Sequence, residues 1–150
     1  MWFLVNTTEV LVRDLMKEAV SVKDDTTIEK MLEIIKKEKV VMVPVIDKNN
    51  VLVGAVTEYD LIKLVKPDPP SPLAGSVWST KIEKSYKDRP VREIMTTNVI
   101  SVPQNGNIDE ALKIMSNYQN LRVLPVVDAE NKLLGVLRIR DIFEKLLSGD

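Results

Sequence analysis

Two stretches of this 150-residue chain are copies of one unit, and that duplication constrains the fold more than any other feature. Val12-Arg13-Asp14-Leu15-Met16 recurs as Val91-Arg92-Glu93-Ile94-Met95, and Ser21-Val22 recurs as Ser101-Val102. Ile28 and Leu32 return as Ile108 and Leu112, and Pro44-Val45-Ile46-Asp47 returns as Pro125-Val126-Val127-Asp128. Asn50, Leu52, Gly54, Asp60 and Leu61 return as Asn131, Leu133, Gly135, Asp141 and Ile142. The offset drifts from 79 (Val12 to Val91) to 81 (Pro44 to Pro125), which places single-residue insertions in loops.

Both copies predict the same order of elements. A short strand at Ser21-Val22 or Ser101-Val102 leads into a helix with apolar residues at i, i+3, i+4 and i+7. These are Ile28, Met31, Leu32 and Ile35, then Ile108, Ala111, Leu112 and Met115. Thr26 with Glu29, and Asn107 with Glu110, have the spacing of a helix cap and its back-reaching carboxylate. Apolar, mostly β-branched runs follow over 40–46 and 121–127. The polar turns Asp47-Lys48-Asn49-Asn50 and Asp128-Ala129-Glu130-Asn131 then lead into second runs over 51–56 and 133–137, completing a hairpin in each copy. A closing helix is expected over 58–65 and 139–147. The unit is β-α-β-β-α, twice, an α/β (α+β) fold.

Between the copies, residues 66–90 hold five of the eight prolines (Pro67, Pro69, Pro70, Pro72 and Pro90), with Ser71 and Gly75. Proline denies this stretch a continuous helix, so it reads as a linker that lets the second copy fold back on the first. Trp78 and Tyr86 within it are expected to pin the linker to the domain surface, with a lid over a ligand pocket as the alternative for Trp78. The organisation expected is an N-terminal extension (1–11), repeat 1 (12–65), linker (66–90), repeat 2 (91–147) and a tail (148–150).

Composition removes whole classes of chemistry. The chain has no Cys and no His, so disulfides, thiol nucleophiles, Ser-His pairs and the usual zinc ligands are absent. Lys plus Arg is 21 against 22 for Asp plus Glu, which offers no basic excess for a nucleic-acid backbone. No apolar run reaches the ~20 residues of a membrane helix. Met1-Trp2-Phe3-Leu4-Val5 lacks the basic start and cleavage site of a signal peptide, so a soluble, cytoplasmic protein is expected, with no membrane insertion.

The paired hydrophobic-Pro-Val-hydrophobic-Asp strands, each closed by Gly-x-x-x-x-x-Asp, resemble a tandem pair of CBS domains, the Bateman module, over residues about 12–147. That resemblance implies two repeats packed about a pseudo-two-fold axis, with clefts that bind adenine nucleotides or related adenosyl ligands. It also implies a regulatory role toward an attached or partner protein rather than catalysis. Gly54-Ala55-Val56-Thr57-Glu58-Tyr59-Asp60 matches the family's Gly-x-x-Thr-x-x-Asp motif, whose Asp holds ribose hydroxyls and whose Thr contacts phosphate. The chemistry suits that division: a carboxylate accepts two hydrogen bonds from a vicinal diol. Thr57-x-x-Asp60 is equally a capping box entering an apolar run. In the second copy Arg138 stands where Thr57 stands, yet Asp141 remains, which suggests a second role for the aspartate beside helix-dipole stabilisation.

The family often places a phosphate-contacting basic residue three positions before the strand proline, where copy two has Arg122 and copy one has Val41. Carried over, cleft A pairs Thr57 and Asp60 with Ser101, Arg122 and Val123. Cleft B pairs Arg138 and Asp141 with Ser21, Val41 and Met42. Solvated side chains and surface ion pairs, such as one to Glu144, are the alternatives for Arg122, Arg138 and Arg140. Apolar residues beside the prolines (Val43, Val45, Leu124 and Val126) would supply the purine wall, with about half facing the cleft. Met16, Met31, Met42, Met95 and Met115 read most simply as core filling.

Three functions compete on this reading. The leading one is a sensor of an adenosyl ligand (AMP, ADP, ATP or S-adenosylmethionine) that controls an unknown partner protein in trans and requires no cofactor. The second is a non-binding structural or oligomerisation module. The third, an enzyme using Asp24-Asp25 and Asp60 as acids or bases, is disfavoured because the 24–25 pair sits before a helix and suits its positive end. No phosphate loop of the Gly-x-x-x-x-Gly-Lys kind is present. The clefts are expected to be unequal, with cleft A dependent on Asp60. Cleft B would either favour higher phosphate charge or be closed by its own Arg138–Asp141 pairing. The apolar density of Leu61-Ile62-Lys63-Leu64-Val65 and Ile142-Phe143-Glu144-Lys145-Leu146-Leu147 points to a homodimer through the closing helices.

Overall fold

The computed structural model describes residues 9–68, 79–118 and 121–148. The first repeat holds β1 (Val22–Lys23), α2 (Ile28–Glu38), β2 (Met42–Ile46), β3 (Leu52–Thr57) and α3 (Glu58–Ile62), preceded by the short helix α1 (Val12–Leu15). Its sheet has the order β1-β2-β3, parallel then antiparallel. The second repeat reproduces it with β6 (Val102–Pro103), α4 (Ile108–Asn117), β7 (Val123–Val127), β8 (Leu133–Arg138) and α5 (Ile139–Ser148). Between them β4 (Val65–Asp68) pairs antiparallel with β5 (Ser79–Ile82).

Local chemistry explains the elements. On α2, Ile28 and Met31 are fully buried, and Leu32 and Ile35 pack beside them, as the helical spacing predicts. The cap is Thr27 and not Thr26: its Oγ1 accepts the Lys30 amide hydrogen bond at 3.2 Å. In α4 the expected Asn107 does cap, accepting from the Glu110 amide at 2.9 Å. Helix α3 ends at Ile62 instead of running to 65, because the chain from Val65 enters the β4–β5 ribbon. The linker thus contains paired strands where irregular chain was expected. Tyr86 packs against the first core, with the Arg89 guanidinium over its ring at 5.4 Å. Trp78, with Pro69, Pro70, Ser71, Pro72 and Gly75, lies outside the described residues.

The two hairpin turns are the same object twice. Asp47 Oδ1 accepts from the amides of Asn49 and Val51, and Asp128 Oδ1 accepts from those of Glu130 and Lys132. Asn50 and Asn131 take left-handed conformations (φ 67° and 64°), which asparagine tolerates better than most residues. The turns then meet across the pseudo-two-fold axis. The Leu52 amide donates to the Asn131 carbonyl and the Leu133 amide to the Asn50 carbonyl, at 2.9 and 3.0 Å. Each Asn side chain donates in turn to the backbone of the opposite repeat, to Leu133 and Leu52. Buried Leu52, Val127 and Leu133 fill the space beneath.

The repeats also exchange their leading segments. Val12 lies in the core of the second repeat with Val102, Ile108, Leu124 and Leu137, while Val91 and Ile94 lie in the core of the first with Ile28, Val43 and Val56. Lys17 pairs with Val136 on β8, and Thr96 pairs with Ala55 on β3, each through two backbone hydrogen bonds of 2.8–2.9 Å. The glycine next to each partner makes that approach possible. A Cβ on Gly135 would stand 2.5 Å from the Lys17 carbonyl oxygen, and one on Gly54 would stand 2.8 Å from that of Thr96. Backbone cannot yield to such a contact as a side-chain tip can, so Gly135→Ala is expected to destabilise the fold by about 1–3 kcal/mol. Urea denaturation checks this; an unchanged midpoint would show that the crossing strand moves freely.

Candidate functional site

Two cavities flank the starts of the central strands β2 and β7, and they share a wall made of Val41, Met42, Arg122 and Val123. The larger, about 620 Å³, corresponds to cleft B. Val136, Arg138, Ile139 and Arg140 close it from the second repeat, and Lys17, Glu18, Val20, Glu38, Lys39 and Val40 from the first. The smaller, about 250 Å³, corresponds to cleft A and adds Thr57, Glu58, Tyr59, Ile62 and Leu121 to the shared wall.

Strand register explains the placement. Met42 stands opposite Thr57 in the first sheet, and Val123 opposite Arg138 in the second. Of the residues predicted from sequence, Val41, Met42, Arg122, Val123 and Arg138 line the larger cavity. Thr57 lines the smaller one, and Arg122 reaches both. Ser21 and Ser101 precede β1 and β6, are half-buried, and line neither cavity. The expected purine wall is corrected by the structure: Val43, Val45, Leu124 and Val126 are fully buried in the cores of their own repeats. Alternation along a strand fixes which residues share a face, and here that face is the core. The apolar lining of the larger cavity includes Val41, Met42, Val123, Val136 and Ile139, with Val20 and Val40 beside them.

Both aspartates are buried, at 3% and 6% exposure, and neither lines a cavity. Asp60 Oδ2 accepts from the Thr57 amide (2.8 Å), the carboxylate half of a capping box, and also from the Thr57 hydroxyl (3.2 Å). Its Oδ1 accepts from Lys63 Nζ (3.2 Å) and from the Thr96 hydroxyl of the second repeat (2.9 Å). Four donors fill the acceptor capacity of a carboxylate. Asp141 is satisfied differently. Arg138 grips it bidentately, Nε to Oδ2 at 2.6 Å and Nη2 to Oδ1 at 2.9 Å. The capping partner in copy two is thus replaced by an arginine, and Asp141 has a structural reason to be there. That hydrogen bond, with the charges of Asp141 and Glu144, holds the Arg138 guanidinium above its ordinary pKa against the opposing effect of burial.

Electrostatics separates the clefts. Lys17, Lys39, Arg122, Arg138 and Arg140 line the larger cavity against Glu18 and Glu38. In the smaller one the Arg122 guanidinium approaches Glu58 at 3.5 Å across the repeats, an exposed pair of little energetic weight. Among the described residues no group of three or more acidic side chains could hold a metal ion, and no helix is long and apolar enough to cross a membrane. Sequence reasoning missed Lys17, Lys39, Val136 and Ile139 in the larger cavity, and Glu58, Tyr59, Ile62 and Leu121 in the smaller. Lys17 carried a usable signal, since it follows the repeated Met16 as Thr96 follows Met95.

Comparison with known proteins decides the family, because the CBS domain matches residues 12–67 and 91–148. The chain belongs to the CBS-domain family. It is a tandem CBS pair, similar to an uncharacterized protein of Methanocaldococcus jannaschii, 30% identical over 95% of each chain. It is also 35% identical to the chloroplastic CBS domain-containing protein CBSX2 of Arabidopsis thaliana, matching 77% of this chain and 53% of that one. A 35% identical match to inosine-5'-monophosphate dehydrogenase of Aquifex aeolicus covers 84% of this chain but only 22% of the enzyme, so the likeness is to a part of it. Among solved structures, CBSX2 in complex with AMP superposes with a TM-score of 0.73, at 28% identity over 93% of this chain and 97% of that one. The CBS pair of protein MJ0100, in complex with 5'-methylthioadenosine and S-adenosylmethionine, gives 0.70 at 25% identity over 94% and 98%.

The CBS pair's buried Asp60 ties α3 to both repeats. Asp60→Ala, which leaves the Thr57 amide and the Thr96 hydroxyl without their acceptor and the Lys63 ammonium with the Ile94 carbonyl, is expected to cost about 1–3 kcal/mol. Chemical denaturation measures it, and an unchanged midpoint would remove the capping role.

Proposed function

We propose that this CBS pair is a regulatory sensor that binds an adenosyl ligand (AMP, ADP, ATP or S-adenosylmethionine) and passes its occupancy to a partner protein in trans, without catalysis. The observation that carries this reading is the larger cavity, in which an apolar slot of Val41, Met42, Val136 and Ile139 adjoins five cationic side chains. A purine fits the first and phosphate oxygens the second. Relatives of the same fold that are bound to AMP and to S-adenosylmethionine support it. Cleft A, with Thr57 and Arg122, is the smaller candidate, and there a ribose could reach Asp60 only by exchanging with one of its four present donors.

A panel of these four ligands tests the reading. A ligand at 100-fold its dissociation constant stabilises by ~2.7 kcal/mol, so the melting temperature should rise by several degrees with at least one of them. Arg122→Ala should weaken that ligand roughly tenfold or more, because it removes a charge-assisted contact. No shift with any of the four would sink the sensor reading.

We further propose a homodimer through the closing helices. The structure changes which residues would make it. Leu64 and Ile142 are buried, and Leu61 and Leu146 pack on the cores, but Tyr59, Ile62, Phe143 and Leu147 are 48–77% exposed. They fall one helical turn apart on α3 and on α5, so each helix presents an apolar outer stripe. Light scattering should give twice 17.0 kDa, and Ile62→Asp with Leu147→Asp should give one chain mass. A wild-type monomer at micromolar concentration would exclude the dimer.

A further inference from the structure

Arg138 stands between the larger cavity and the buried carboxylate of Asp141. Arg138 lines the cavity with its side chain 37% exposed, whereas Asp141 lies beneath it with its side chain 6% exposed. Both carboxylate oxygens are held by that single guanidinium. A ligand hydroxyl has therefore no free access to Asp141, and pulling Arg138 away without replacing its charge partner leaves ions uncompensated on both sides. We propose that Arg138 makes this cleft selective for phosphate-bearing adenosyl ligands over uncharged nucleosides, because only a ligand that brings its own anion can release Asp141. A phosphate offers the guanidinium the same two-oxygen geometry as the carboxylate it leaves. The freed Asp141 then takes the two hydroxyls of the ribose as donors in place of the two N–H groups it has lost. Arg140, Lys39 and Lys17 around the same cavity add attraction for the phosphate, and none of the three has an ion-pair partner among the described residues. Copy one has no such exchange to offer, since Thr57 in the equivalent place carries no charge.

This inference rests on the adenosyl-ligand reading, and calorimetric titration of adenosine, AMP and ATP separates the two. The methyl resonances of Val136 and Ile139, which line the larger cavity and not the smaller, assign each isotherm to its cleft. In the wild type AMP should bind at least ~10-fold tighter than adenosine, with ATP tighter still. Arg138→Thr should cut the AMP-to-adenosine affinity ratio by roughly threefold or more. It weakens AMP through the lost guanidinium and strengthens adenosine through the unblocked Asp141, while Lys17, Lys39 and Arg140 keep part of the preference. Arg138→Lys keeps the charge but cannot span both carboxylate oxygens, and should give an intermediate ratio; it also serves if the Thr variant does not fold. Equal wild-type affinities, a ratio unmoved by either variant, or binding that leaves both methyl resonances in place would overturn the selectivity while the sensor reading stands. Failure of all three ligands to bind would overturn both.

Discussion

Neither repeat completes its own core. Val12 closes the second, Val91 and Ile94 close the first, and each crossing segment adds a backbone pairing to the far repeat's hairpin. A buried valine contributes about 1.5–3 kcal/mol relative to an exposed one, so withdrawing either segment would remove a large share of a marginal total. The interdependence fixes the rest of the architecture. With Lys17 held on β8 and Thr96 on β3, the hairpins must face one another, and their Asn turns meet as donors and acceptors across the axis. The clefts are the space left on either side of that contact.

Because backbone symmetry holds so closely, the difference between the clefts comes from few side chains. Arg138 replaces Thr57, Arg122 replaces Val41, and Lys17 replaces Thr96. The first and third of these put cations around the larger cavity, and Arg122 sits in the wall common to both. Divergence between two copies of one unit has thus given a single scaffold one roomy basic cleft and one small cleft crossed by the Arg122–Glu58 pair.

Much of this was legible in the residues. The duplication, the β-α-β-β-α order, the helical stripes and the Asp-initiated turns each rest on local chemistry that leaves a periodic or positional mark. Boundaries were less so. Thr26 and Thr27 are both oxygen-bearing, and only the backbone decides which one accepts the Lys30 amide. The segment exchange left no local mark, because Val12 looks the same whether it packs on its own repeat or on the other. The glycines hinted at it: a Gly inside a strand signals close backbone approach, and Gly54 and Gly135 are explained by Thr96 and Lys17. Strand alternation correctly grouped Val43 with Val45 and Leu124 with Val126, but parity alone does not say which face is core and which is cleft.

The two aspartates show how one position can carry opposite physical roles. A buried carboxylate must find donors, and its surroundings decide whether those donors can be displaced. Asp60 draws on the backbone, a hydroxyl of its own helix cap, a lysine and a threonine from the other repeat. Releasing it would disturb the cap of α3 and the junction of the repeats together, which suits a structural group. Asp141 depends on one flexible side chain that itself faces the cavity. A ligand shifts a conformational equilibrium only by its differential affinity for the two states, and the proposed exchange at Asp141 would supply that difference because the side chain holding this aspartate faces the cavity.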